Sequence, residues 1–182
     1  PIRFTIVKAG DRPARLNFRI PGWSRRPAIL TLNGKTSERA GKPHSYVSLE
    51  RLWAAGDVVE FTLSASLRLE HARDDRSMVS VFFGPVLLAG ELGRNDLPQD
   101  FADKDTHLNE PAVRVPEIVS GSSDPADWLR PIQGAALSYI AHDAGPANGI
   151  VFRPLYDVHH QRYSVYWRLR RGSIEGDPST IE

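Results

Sequence analysis

The sequence predicts an all-β protein: an antiparallel β-sandwich, jelly-roll-like, with a second, smaller β region packed on it. Three observations carry this. Apolar and polar residues alternate with period two through most of the first half, as they do in strands with one buried and one wet face. Turn signals recur between the alternating runs, Asn33-Gly34 foremost, because both residues tolerate positive φ. No helical period separates the strands, so the crossovers that a parallel α/β sheet needs are missing.

The strands follow in order. The chain opens on IRFTIVKAG (2–10). In ARLNFRI (14–20), Ala14, Leu16, Phe18 and Ile20 share a face opposite Arg15, Asn17 and Arg19. PAILTLNG (27–34) runs into the Asn-Gly turn, and SYVSLE (45–50) sets Val47 and Leu49 on one face. A short helical turn is the reading for residues 49–55. In DVVEFTLSA (57–65), Val59, Phe61 and Leu63 face inward and Val58, Glu60 and Thr62 outward. LRLEHAR (67–73) and SMVSVFFGPVLLAGE (77–91) complete the first region. The domain reading is therefore a β-sandwich over 1–93, a linker or long loop over 94–112, a smaller C-terminal β region over 113–171, and a flexible tail over 172–182. The second region contains VRVPEIVS, AALSYIAH, GIVFRPLY and RYSVYWRLR, with DPADWLRPIQG (124–134) as a turn-rich connection. In RYSVYWRLR, Tyr163, Val165, Trp167 and Leu169 are expected to share a core face, and Arg162, Ser164, Tyr166 and Arg168 the other.

Composition limits the partners. The chain has 182 residues, 41% hydrophobic, with 23 basic and 22 acidic residues for a net charge of +1. Dispersed, balanced charge gives no reason to expect nucleic acid or a membrane surface as partner. No apolar run approaches the ~20 residues of a membrane-spanning helix. There is no cysteine, so disulfides and thiolate chemistry are excluded within the chain. The sequence starts at Pro1 inside a strand-like run with no targeting segment visible, which reads as a piece cut from a longer protein; the compartment stays open.

Candidate chemistry is sparse. His159 and His160, with Asp157, offer metal-ligand types, but adjacent strand residues point to opposite faces and cannot easily grip one ion. Asp100, Asp103, Asp105 and Glu110 form an oxygen-rich stretch without the spacing or glycine of an EF-hand. Asp74 and Asp75 read as turn formers. No nucleophile elbow, phosphate loop or dinucleotide fingerprint occurs. Catalytic, metal and cofactor residues are therefore expected to be none. The aromatic residues are the remaining candidates. Trp23, Trp128 and Tyr166, together with His159, are the expected contacts to carbohydrate or to another domain; the competing role for each tryptophan is a core plug.

Several segments, in order, resemble one family. LNFRIPGW (16–23), LTLNGK (30–35), YVSLERLWAAGDVVEFTL (46–63), VSVFFGPVLLAGEL (79–92), WLRPIQG (128–134) and FRPLYDVHHQRYSVYW (152–167) are similar to the C-terminal β region of glycoside hydrolase family 127 and its sibling family 146, the β-L-arabinofuranosidase-like enzymes. The resemblance implies a non-catalytic sandwich whose partner is a catalytic (α/α)6 barrel in the same polypeptide, absent from this sequence. In the family, that barrel supplies a cysteine nucleophile, cysteine-bound zinc and a glutamate acid/base, and none of these transfers to a chain without cysteine. A carbohydrate-binding module that recognises plant polysaccharide through exposed aromatics is the alternative.

Overall fold

The computed structural model describes residues 1–37, 41–95, 97 and 113–172, with Ser37 described by its backbone. The acidic stretch holding Asp100, Asp103, Asp105 and Glu110, nearly all of the expected linker and the tail from residue 173 lie outside the described residues. The fold is all-β, with short 3-10 turns as the helical content among those residues. The chain folds as two compact units, Pro1–Ser66 and Leu67–Glu182. The division therefore falls well before residue 93, where the alternation pattern alone puts the boundary.

Unit 1 is a two-sheet sandwich. One sheet has four strands in the order β1 (Ile2–Thr5), β6 (Val58–Thr62), β3 (Ile29–Leu32) and β4 (Lys35–Ser37). The other pairs β2 (Ala14–Ile20) with β5 (Ser45–Arg51) over seven residues. Every pair is antiparallel. The alternation places Phe18, Ile20 and Val47 of the small sheet against Leu30, Val59 and Phe61 of the large one, and all six are buried in one cluster. The β3–β4 hairpin turns at Asn33 and Gly34, with φ of 50° and 76°, the pair of positive values that a two-residue primed turn requires.

The helical turn read over 49–55 does not form. Pairing of β2 with β5 continues to Ala14 opposite Arg51, so the ladder claims the start of that stretch. Trp53 then turns inward, and its indole N–H donates to the Ala14 carbonyl at 2.8 Å. Local propensity loses here to a ladder that already satisfies the backbone.

A polar clasp closes the same end of the sandwich. Asp57, 7% exposed, accepts from the Ala54 N–H at 2.9 Å and from the Asn33 amide at 2.8 Å. The Asn33 side-chain oxygen accepts from the Val58 N–H at 2.8 Å, and Arg51 lies 3.8 Å from the carboxylate. Donation from the Ala54 backbone first, then from Asn33, then the field of Arg51, holds the Asp57 carboxyl below the usual carboxylate range despite opposing desolvation. Asp75 in unit 2 is lowered likewise, chiefly by the Ser77 hydroxyl and backbone N–H. A carboxyl lowered on folding adds stability at every pH above its unfolded value, near 4, and that stability is lost as pH falls through the folded value. The expected result is a melting temperature that drops on acidification below about pH 4, with a shallower drop for Asp57→Asn. Thermal melts between neutral and strongly acid pH read this directly, and parallel curves would rule out the clasp as an acid-sensitive element.

Unit 2 is one mixed sheet of nine strands. Its path runs β10 (Ile118–Ser120), β15 (Trp167–Arg171), β8 (Met78–Phe83), β9 (Val86–Gly93), β13 (Val151–Pro154), β12 (Tyr139–Ala141) and β11 (Leu129–Pro131), with β7 (Leu67–His71) on β8 and β14 (Arg162–Ser164) on β9. The pairs are antiparallel except β10 with β15, which is parallel. Seven strands laid flat would span on the order of 30 Å, yet the Val119 N–H of β10 donates at 3.0 Å to the carbonyl of Ala144, just past β12 near the opposite end. The sheet therefore curls, and its concave face closes on Val79, Val81, Leu88, Ile118, Trp128, Phe152 and Trp167.

Candidate functional site

One place in the curled sheet departs from a regular ladder, and the registers show why. β8 and β9 pair from Phe83 opposite Val86 to Val81 opposite Leu88. Two residues further along, Val79 pairs with Trp167 of β15, and Gly90 pairs with Ser164 of β14. The two strands thus fork, and the segment from Arg162 to Arg171 enters the fork, one arm on each strand. Its apex is Val165-Tyr166. The Ser164 hydroxyl donates to the Tyr166 carbonyl at 2.7 Å and accepts from the Tyr166 N–H at 3.2 Å, which fixes the bend. Trp167 turns into the core while its neighbour Tyr166 turns out and is 61% exposed.

The fork also explains a departure from the expected alternation. Strict alternation puts Tyr163 on the core face with Trp167, but the bend between β14 and β15 resets the period, and a register shift interrupts β14 between Arg162 and Tyr163. Tyr163 is consequently 50% exposed.

Two surface depressions flank Tyr166, of about 280 and 350 Å³, and Tyr166 and Met78 line both. On one side stand Glu70, His71 and Arg73, from β7 and the turn after it. On the other stand Arg114, Glu117 and Arg168. Several of these charges are already engaged. Arg68 pairs with Glu70. Arg170 reaches Glu117 at 2.8 Å. Arg168 donates to the Ser77 hydroxyl at 2.8 Å and lies 3.4 Å from Asp75 and 3.9 Å from Glu117. Asp75 itself accepts from the Ser77 N–H and hydroxyl, the turn-forming role expected of Asp74-Asp75.

The residues named from the sequence are dispersed. Tyr166 stands between the depressions. His159 is exposed, lines neither of them, and sits beside His160 with ring centroids 6.1 Å apart. Trp23 is partly buried and belongs to unit 1. Trp128 has no exposed surface: it follows the 3-10 turn Pro125–Asp127 and packs edge-on to Phe152 at 6.3 Å in the core of unit 2. As it stands it can offer no face to a sugar or a neighbouring domain. Sequence reading puts Arg168 on the face of Tyr166 but misses Arg73 and Arg114, because the turn after β7 and the segment before β10 are far from Tyr166 in the chain. Among the described residues, no three His, Cys, Asp or Glu side chains gather as a metal site.

Comparison with known proteins follows the division of the chain. The family model for the β-L-arabinofuranosidase GH127 middle domain matches residues 1–65, and that of a domain of unknown function, DUF4986, matches residues 68–169. Among solved structures, the chain is similar to one described as a glycoside hydrolase, at 21% identity and a TM-score of 0.60, over 93% of this chain and 30% of that one. It is similar to Ara127N-Se, a GH127 β-L-arabinofuranosidase from Geobacillus stearothermophilus T6, at 16% identity and a TM-score of 0.55, over 92% of this chain and 28% of that one. At such identities the likeness is one of fold. The chain spans less than a third of the length of either structure. No curated protein matches the sequence. The chain belongs to the DUF4986 family through residues 68–169, more than half of its length, and its residues 1–65 are similar to the GH127 middle domain.

Proposed function

We propose that the chain is the non-catalytic accessory β region of a β-L-arabinofuranosidase-like glycoside hydrolase, and that it packs against a catalytic (α/α)6 barrel of the same polypeptide. The observation that carries this reading is the match of residues 1–65 to a domain described as the middle domain of such enzymes. Two others support it. A thiolate nucleophile of the kind the resemblance implies needs a cysteine, and this chain has none. Ile2 and Phe4 of the edge strand β1, and Val7 just after it, are large apolar side chains left exposed, the kind of edge that a further domain would cover.

The test is an assay of the purified 182-residue chain on an aryl β-L-arabinofuranoside, beside the longer polypeptide that includes the barrel. The expected outcome is turnover by the long form and none above buffer by the chain alone. Turnover by the chain would overturn the accessory reading.

A second reading, a carbohydrate-binding role, is favoured by one observation: Tyr166 stands exposed between two depressions with polar rims.

A further inference from the structure

We propose that the paired depressions around Tyr166 bind an acidic oligosaccharide, with one sugar ring against the tyrosine and carboxylates paired to Arg73 and Arg114. This rests on the carbohydrate-binding reading and narrows it to a charge class.

The argument begins with the charges. Both acids on the rims are already neutralised: Glu70 by Arg68, and Glu117 by Arg170 with Arg168 nearby. Arg168 in turn is held by Asp75 and Ser77. What remains is Arg73 on one side and Arg114 on the other, both exposed, neither making an ion pair or side-chain hydrogen bond with a described residue. The surface thus keeps two guanidinium groups, one beyond each side of an exposed ring, and each can hold a carboxylate through paired N–H donors.

The neutral features suit a sugar. Tyr166 offers an aromatic ring for the apolar C–H face of a pyranose, with Met78 common to both depressions. His71 Nδ1 lies 2.7 Å from the Arg76 carbonyl. A carbonyl accepts only, so Nδ1 carries the proton in that contact, and Nε2 is left to hydrogen-bond a hydroxyl, which can both donate and accept. Each depression lies near the lower limit for small-molecule sites, about 300 Å³, which fits a sugar unit on either side of the tyrosine better than a cofactor.

The test is calorimetric titration of the 182-residue chain with trigalacturonate and, separately, with its fully methyl-esterified form, which keeps the rings and removes the charge. Saturable binding of the acid is expected, at least about ten-fold tighter than the ester and weaker in high salt. Tyr166→Ala and Arg114→Gln should each weaken the acid about ten-fold. Both side chains are exposed, so melting temperatures should stay unchanged, which separates lost binding from lost fold. Equal binding of acid and ester would sink the charge claim and leave a neutral-sugar site. No saturable binding of either would sink the site and the carbohydrate reading together. Undiminished binding by Tyr166→Ala would place the sugar elsewhere.

Discussion

Gly90→Ala is expected to destabilise unit 2 by about 3 kcal/mol, the upper part of the range for overpacking a core. A methyl on Gly90 would lie 2.2 Å from Cζ2 and 2.7 Å from Cη2 of Trp167, where carbon atoms prefer about 3.5–4.0 Å. Neither side can yield. Gly90 is paired across both edges of β9, with Phe152 and with Ser164. The Trp167 indole is fully buried, with the Phe152 ring 5.0 Å away. Gly90 is not among the positive-φ residues, so its backbone alone would accept alanine and even gain about 0.5–1 kcal/mol from the stiffer unfolded chain. The clash is several times larger and decides the sign. Combining Gly90→Ala with Trp167→Phe should restore part of the loss, because the added methyl occupies space the smaller ring vacates. A coupling of about 1 kcal/mol or more is expected. Denaturant titration of the two single variants and the double variant measures it. Wild-type stability in Gly90→Ala, or strict additivity in the double, would show that the fork at β8 and β9 is looser than described.

How far the sequence can be read depends on whether a feature is local. The Asn33-Gly34 turn is written in two residues and needs nothing from the rest of the chain, and it forms as read. The faces of ARLNFRI and DVVEFTLSA are equally legible, because alternation states which side is buried; Phe18, Ile20, Val59 and Phe61 are all inside. Alternation does not state which strand lies alongside. By spacing, LRLEHAR and SMVSVFFGPVLLAGE group with the strands before them, yet β8 and β9 pair with β7, β13, β14 and β15, all of which lie in unit 2. The same gap hides the fork. Nothing in RYSVYWRLR announces that its first residues pair with β9 and its later ones with β8, so alternation puts Tyr163 inside. The surroundings of Tyr166 are beyond reach for the same reason. The ring and Arg168 can be named from the sequence, but Arg73 and Arg114 come from remote segments that only the tertiary pairing brings to it.

Trp128 shows the opposite limit, a side chain whose type invites a surface role and whose position forbids one. Trp128→Ala is expected to lower stability by about 3–5 kcal/mol, as for a fully buried aromatic truncated to a methyl. The loss is one of packing. The Trp128 carbonyl accepts from the His142 N–H at 2.8 Å, and the Asp124 side chain caps the preceding turn by accepting from the Ala126 N–H at 3.0 Å; substitution at 128 leaves both in place. The indole N–H has no partner among the described residues, so packing against the core is the contribution that the structure assigns to the ring. Trp128→Phe should therefore retain much of the stability that Trp128→Ala loses, with the residual deficit reflecting the smaller ring. The pair separates core packing from ligand contact more sharply than either variant alone. A ligand-contact role predicts that both variants fold normally and lose binding. The buried role predicts that stability falls in order of side-chain volume, with near-ultraviolet ellipticity lost first in the alanine variant. Full stability in Trp128→Ala would mean that the tryptophan is not the keystone of this core.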